Sequence, residues 1–256
     1  MRYLTLTATA ILAGWVFAPA ARAADQEWGT IKGQVVWAGG AIPQRAPVKG
    51  NLAGCNNKGP ILAEDWVVNP KNQGVQWVLV WLDVEPKSGQ KLPIHPALQQ
   101  PKQKKVTMDQ PCCMFEPHVL GLREGQQLEV KNSAGIAHNV NWNGNPMTNP
   151  GGNQVIPPGG ALTIDDLKAD RYPLSIACNI HPWMNARVGV FSHPYFAVTD
   201  ADGNFEIKDA PAGNYRLKVW QESMGWLGGK DGRDGQKITI KPNAVTNVGK
   251  LGAKPN

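Results

Sequence analysis

Short strand-like runs, cut off at close intervals by Gly, Pro and Asn, set the strongest limit on what this chain can fold into. Alternating or continuous apolar residues occupy 30–37, 75–84, 127–132, 137–142, 161–164, 174–178, 187–191, 205–208, 215–220 and 237–240. Runs this short cannot bury enough surface as helices, but they suit strands whose side chains alternate between a core and solvent. The 28 Gly and 21 Pro supply the turns between them, and helical periodicity is weak everywhere except for one short turn expected at 96–100. The fold class expected is therefore all-β, with a Greek-key sandwich combined with a second β-sandwich. Two stretches read as connections: the Pro-, Gln- and Lys-rich segment 86–105, and 143–160, expected to be a long irregular loop.

The amino-terminal residues predict export. One Arg precedes a mostly apolar run from Leu4 to Ala18, and Ala21-Arg22-Ala23 has the small-x-small form cut by signal peptidases, so residues 1–23 read as a secretory signal. The alternative, a membrane anchor, is disfavoured because the run is shorter than the ~20 residues of a bilayer crossing. No later transmembrane segment is expected, and the predicted location is periplasmic or extracellular. Without the leader the chain has 24 basic and 20 acidic residues, a net +4. That balance does not mark a nucleic-acid binder. Lys102, Lys104 and Lys105 lack interleaved aromatics and read as a solvated linker.

The chemistry lies in two stretches. Cys178-Asn179-Ile180-His181-Pro182-Trp183-Met184 places a thiol, an imidazole and a thioether within seven residues. The strand 125–132 is followed, after five residues, by His138-Asn139, which delivers a second imidazole from a separate strand end. A thiolate and two imidazoles in a plane, with a weak axial thioether, are what a mononuclear type 1 copper site needs. Zinc is the inorganic rival for a Cys and two His, but it would make no use of Met184. The predicted copper ligands are His138, Cys178, His181 and Met184.

These residues carry a family resemblance. The pattern G-x-x-L-x-V-x-N, five residues, H-N, then some forty residues to a strand ending C-x2-H-P-x-M, resembles the cupredoxins, and the His-Pro-aromatic-Met loop is most similar to the amicyanin and plastocyanin-like blue copper domains. The resemblance spans about 85 residues and implies a cupredoxin domain at 105–191. It implies that Asn139 fastens the ligand loop, and that Pro182 and Trp183 form an apolar surface around an exposed His181 imidazole. A second resemblance covers the flanks. GTIKGQVVWAGG (29–40) and VQWVLVWL (75–82) on one side, and TDADGNFEIKDAPAGNYRL (199–217) on the other, resemble the halves of a carboxypeptidase regulatory-like, or transthyretin-like, sandwich. Together they imply an inserted arrangement: 24–104 as the first part of that sandwich plus a linker, 105–191 inserted, and 192–256 as its second part. Tandem domains behind a disordered arm are the alternative. The whole is similar to exported copper proteins of the methylamine-utilisation type.

Four cysteines follow the leader. If Cys178 binds metal, Cys55, Cys112 and Cys113 remain, and adjacent Cys112 and Cys113 are poorly placed to bridge one another. Cys55 is expected to pair with Cys112 or Cys113. A second metal site at Cys112, Cys113 and His118 is the alternative. His95 and His193 read as loop residues, 200–204 as a hairpin turn rather than a calcium loop, and Trp226 as a surface contact. Four protein ligands leave no position for substrate, so the expected role is electron transfer with an exported dehydrogenase or cytochrome, not catalysis. Copper holding or delivery, with attachment through the outer sandwich, is the second expectation, and a copper-dependent enzyme using Glu116 or His118 is the third.

Overall fold

Val, Ile, Leu and Trp at alternate positions make strands throughout the computed structural model, which describes residues 26–50, 53–55 and 59–255. The expected leader, 1–23, lies outside the described residues. In chain order the strands are β1 (Trp28–Trp37), β2 (Leu79–Asp83), β3 (Lys105–Asp109), β4 (Val119–Arg123), β5 (Gln127–Lys131), β6 (His138–Asn143), β7 (Gly152–Ile156) and β8 (Ala161–Ile164). They continue with β9 (Leu174–Ala177), β10 (Asn185–Phe191), β11 (Phe196–Val198), β12 (Asn204–Pro211), β13 (Gly213–Gln221), β14 (Gly225–Trp226), β15 (Gln236–Ile240) and β16 (Val245–Ala253). The only helical elements among the described residues are two 3-10 turns, Pro96–Leu98 and Asp231–Asp234. The fold is all-β.

Four sheets result. β12-β1-β16 and β11-β2-β13-β14, with β15 also on β13, draw their strands from before residue 84 and after residue 195. β4-β10-β9-β6-β7 and β3-β5-β8 are built wholly from the chain between. Each sheet except β11-β2-β13-β14, whose pairs are all antiparallel, mixes parallel and antiparallel neighbours. β1, for example, runs parallel to β16 and antiparallel to β12, while β10 runs parallel to β4 and antiparallel to β9.

Two separate cores follow from this pairing. Met108, Phe115, Leu122, Leu128, Val140 and Ile176 anchor one, and Ile31, Val35, Val80, Leu82, Tyr195 and Leu217 the other. A third cluster of Leu79, Trp81, Val119, Phe191, Trp220 and Trp226 joins β2 and β13 to β4 and β10. Trp81 sits 5.4 Å from the rings of both Phe191 and Trp226. Each such buried aromatic contributes roughly 1.5–3 kcal/mol from apolar burial, which makes this a firm seam.

Several expectations need correction. The stretch 143–160 is not one irregular loop, because β7 pairs with β6 from His138↔Ile156 to Trp142↔Gly152. The strand expected over 75–84 is confined to β2, because Trp77 has φ 67 and breaks the extended run. Trp226 is buried rather than a surface contact, with Trp81 on one side and Tyr172 on another. The segment 200–204 is a tight turn but not a hairpin, because β11 and β12 on either side lie in different sheets: Asp200 Oδ1 accepts from the amides of Asp202 (2.9 Å) and Asn204 (2.8 Å), and Gly203 takes φ 75.

Candidate metal centre

The site is made where β5, β6, β9 and β10 end at one pole. Asn132, just past β5, donates from Nδ2 to the carbonyls of Ile136 (2.9 Å) and Ile156 (2.8 Å), and its Oδ1 accepts from the Ala134 amide. This ties the five-residue loop that sets His138 at the start of β6. On the other side β9 and β10 form an antiparallel pair. The loop between them closes through Cys178 N–H to Met184 C=O (3.1 Å) and Met184 N–H to His181 C=O (2.9 Å).

Asn139 joins the two halves. Its Oδ1 accepts from the amides of Asn179 (2.7 Å) and Ile180 (3.1 Å) and lies 3.2 Å from Cys178 Sγ, while its Nδ2 donates to Asn153 Oδ1 (2.7 Å). The Cys178–Met184 loop is thereby fastened to β6 next to His138.

The donor atoms converge. His138 Nδ1 and His181 Nδ1 are 2.9 Å apart, and Cys178 Sγ is 3.9 Å from the first and 3.8 Å from the second. A point equidistant from three atoms so spaced lies about 2.1 Å from each, which falls within the ~2.0–2.3 Å of metal–imidazole and metal–thiolate bonds. Two nitrogens this close can share a proton, and with a sulfur facing both at nearly one distance the three can also hold a cation. His138, Cys178 and His181 are all buried, and the three donors lie within 4.8 Å of one another. Burial, and then the nearby His181, push His138 down to about 4, and burial lowers His181 too. Both shifts favour the neutral ring, the form in which an imidazole binds a metal. Nε2 of His138 is buried with no partner, so no competing acceptor holds the ring against the use of Nδ1. Met184 is buried in the same cluster as Cys178. The structure thus converges three of the expected donors and places the fourth residue in the same closed loop.

The pole is covered, contrary to the expectation of an exposed His181. His181 is 6% exposed. The described residues of the segment 46–63 fold across it as a strap. Pro47 bridges to Leu62, Val48 N–H donates to Ile61 C=O (2.9 Å), and Ala63 N–H to Ala46 C=O (2.8 Å). Gly50 backs onto the Trp183 ring so closely that a Cβ has no room. A disulfide between Cys55 and Cys113 pins the strap, and Trp183 Nε1–H donates to the Cys113 carbonyl (3.1 Å). Cys113 is the partner of Cys55, and Cys112 is a free thiol. Exposure at the pole falls instead on Ile180 and Pro182.

The alternative second site at Cys112, Cys113 and His118 does not form, because Cys113 is in the disulfide and His118 faces carboxylates. His118 Nε2 bonds Glu222, its Nδ1 lies 3.0 Å from the Asn185 carbonyl and 3.5 Å from Glu64, and Arg187 lies 3.2 Å from Glu222. Burial works against the charged form of His118, but the Glu222 hydrogen bond and the charges of Glu222 and Glu64 outweigh it and raise its pKa. Glu64 is raised by burial. A cavity of about 160 Å3 lies between this cluster and the loop, lined by Val48, Ile61, Glu64, His118, Trp183 and Met184.

No protein-family model and no curated protein matches the sequence. Among solved structures, a Cu(I) form of a methionine-to-glutamine mutant of amicyanin matches at 17% identity over 34% of this chain and 82% of that one, with a TM-score of 0.31. A Cu(I) methionine-to-alanine amicyanin mutant matches at 15% identity over 43% and 97%, also at 0.31. A purple cupredoxin from Nitrosopumilus maritimus matches at 15% over 33% and 98%, with a TM-score of 0.28. The likeness is partial: each of these matches covers less than half of this chain. What the site can do is carried by its own residues: a buried His/Cys cluster able to hold a metal ion.

No helix of the described residues is long and apolar enough to cross a membrane.

Proposed function

We propose that this chain is an exported mononuclear copper protein acting in electron transfer, in which His138, Cys178, His181 and Met184 would hold the ion. The observation that supports it most directly is the triangle of His138 Nδ1, His181 Nδ1 and Cys178 Sγ. Bound copper would supply a one-electron couple. The chain's part is to hold the two neutral imidazoles and the sulfur fixed, so that little rearranges between oxidation states, and to keep water out. Asn139 restrains the loop through its two amide contacts, and Met184, unbranched and polarizable, offers a weak fourth donor. No substrate position is left open, which supports a carrier over an enzyme. A small, transient contact with an exported dehydrogenase or cytochrome would fall on the exposed Ile180–Pro182 edge.

Copper-loaded protein should show intense visible absorption and a reversible one-electron wave, both lost in Cys178→Ser. Colourless protein, or a Cys178→Ser variant with an unchanged spectrum, would overturn the reading. Copper holding or delivery is the second reading, favoured by the strap over His181, and rapid loss of copper to a chelator would select it.

The domain arrangement proposed is a cupredoxin unit at 105–191 inserted in a regulatory-like sandwich that also serves for attachment. Its support is the pairing of β1 and β2 only with strands after residue 195. Limited proteolysis that released 24–100 as a folded fragment would refute it.

A further inference from the structure

The disulfide that pins the strap also lies at the metal pole. Cys55, Cys113 and His181 form a second group whose donor atoms lie within 4.8 Å of one another, and His181 belongs to both groups. One residue of the two groups stands apart in burial. Cys55 is half-buried, whereas Cys113 is 0%, His181 6%, Cys178 2% and His138 0% exposed. Of the five residues, only Cys55 reaches solvent appreciably, and a closed metal site still requires a way in.

We infer that Cys55 and Cys113, once reduced, form with His181 a receiving site for Cu(I), from which the ion passes to the His138–Cys178–His181 centre. The hand-over rests on the reading of that centre given above. Two thiolates and an imidazole are a soft donor set that suits monovalent copper. Reduction balances through a small dithiol: its thiolate attacks one sulfur of the Cys55–Cys113 bridge, a mixed disulfide forms, and the second thiol of the donor resolves it. The donor leaves as a disulfide and the protein gains two thiols. These release two protons as Cu(I) binds. On transfer they take up protons again while Cys178 gives up its own. His181 remains within reach of the ion throughout, so no step requires a bare ion in the interior. In the disulfide form the same sulfurs have no thiolate to offer, and the strap is held shut.

The test uses the full chain with Cys112→Ser and Cys178→Ser, which removes the free thiol and the inner sulfur. Cu(I) is titrated anaerobically in competition with bicinchoninate. The dithiol-reduced protein, freed of reductant, is expected to take up one Cu(I) with two Cu–S contacts by X-ray absorption, and the disulfide form none. Adding Cys55→Ser should return uptake to the level of the disulfide form. Equal uptake by reduced and disulfide forms would overturn the proposal. In protein that keeps Cys178, reduction should speed filling of the inner centre by roughly tenfold or more, since a solvent-reachable ligand set speeds capture, and an unchanged rate would overturn the hand-over. If the inner centre never forms while the reduced double variant still takes up Cu(I), it is the functional reading that fails and not the receiving site.

Discussion

Replacing Asn139 by Ala should loosen the metal loop and lower stability before any ion is bound. Oδ1 accepts two backbone amides, Asn179 at 2.7 Å and Ile180 at 3.1 Å, and Nδ2 holds Asn153 at 2.7 Å. The side chain is 3% exposed, so water does not readily replace it. An amide left without an acceptor costs about 1–3 kcal/mol when buried. Both amides here are only partly buried, which puts each near the lower end, and the Asn153 link adds about 1 kcal/mol. The total is about 2–4 kcal/mol, or roughly 5–15 °C in melting temperature for a chain of this size. Copper affinity should fall by roughly 10–100-fold, as when other hydrogen-bonding supports of metal ligands are removed. Thermal unfolding of the metal-free protein measures the first effect, and chelator competition the second. Asn139→Asp keeps the acceptor and should recover most of the stability, while placing a second negative charge beside Cys178. A melting temperature unchanged in Asn139→Ala, with copper affinity also unchanged, would refute the role given to this residue.

Three further outcomes follow from the same contacts. Met184→Leu conserves volume in a closed core, so stability should change by less than about 1.5 kcal/mol, while voltammetry of the copper form should show a higher potential because an electron donor to the oxidised ion is gone. Glu222→Gln removes the carboxylate between His118 and Arg187 and should destabilise by several kcal/mol, about 3–5 being the cost of breaking a buried pair. The pH profile has two limbs. His118 is raised in the folded state, so its contribution is full below the ordinary 6.5 and is lost as pH rises through the folded value. Glu222→Gln should flatten this alkaline limb in denaturant titrations. His193 is pushed down to about 4, burial being the main cause. The unfolded chain therefore binds its proton first, and stability falls as pH drops from 6.5 towards 4. The loss from His193 is up to about 3 kcal/mol, and His193→Gln should remove that share of the limb, leaving the share of His138, which is also pushed down to about 4.

What the sequence makes legible here is whatever one strand end and one tight loop can specify. Cys178, His181 and Met184 are near neighbours in the chain, and His138 is fixed by a strand that ends on Asn132, so their types and spacing carry the chemistry in plain view. The strands 127–131 and 161–164 are equally visible from alternation. β4, by contrast, is interrupted by Gly121, whose missing side chain makes room for the Phe196 ring. β7 escapes notice because it exposes Val155 on a sheet edge and sits among Gly, Pro and Asn. The strap is the larger omission. Segment 46–63 has no period to read, and among its described residues the contacts that reach the pole come from far along the chain: Gly50 on Trp183, and Cys55 on Cys113, 58 residues away. The carboxylate cluster has the same character, since His118 meets Glu222 across a separation of 104 residues. Donor identity is local, but access to the donors is tertiary. An exposed His181 therefore follows from the loop alone, and a covered one from the whole fold. Under the proposed copper reading, the covering ties entry of the ion to the redox state of the Cys55–Cys113 bridge.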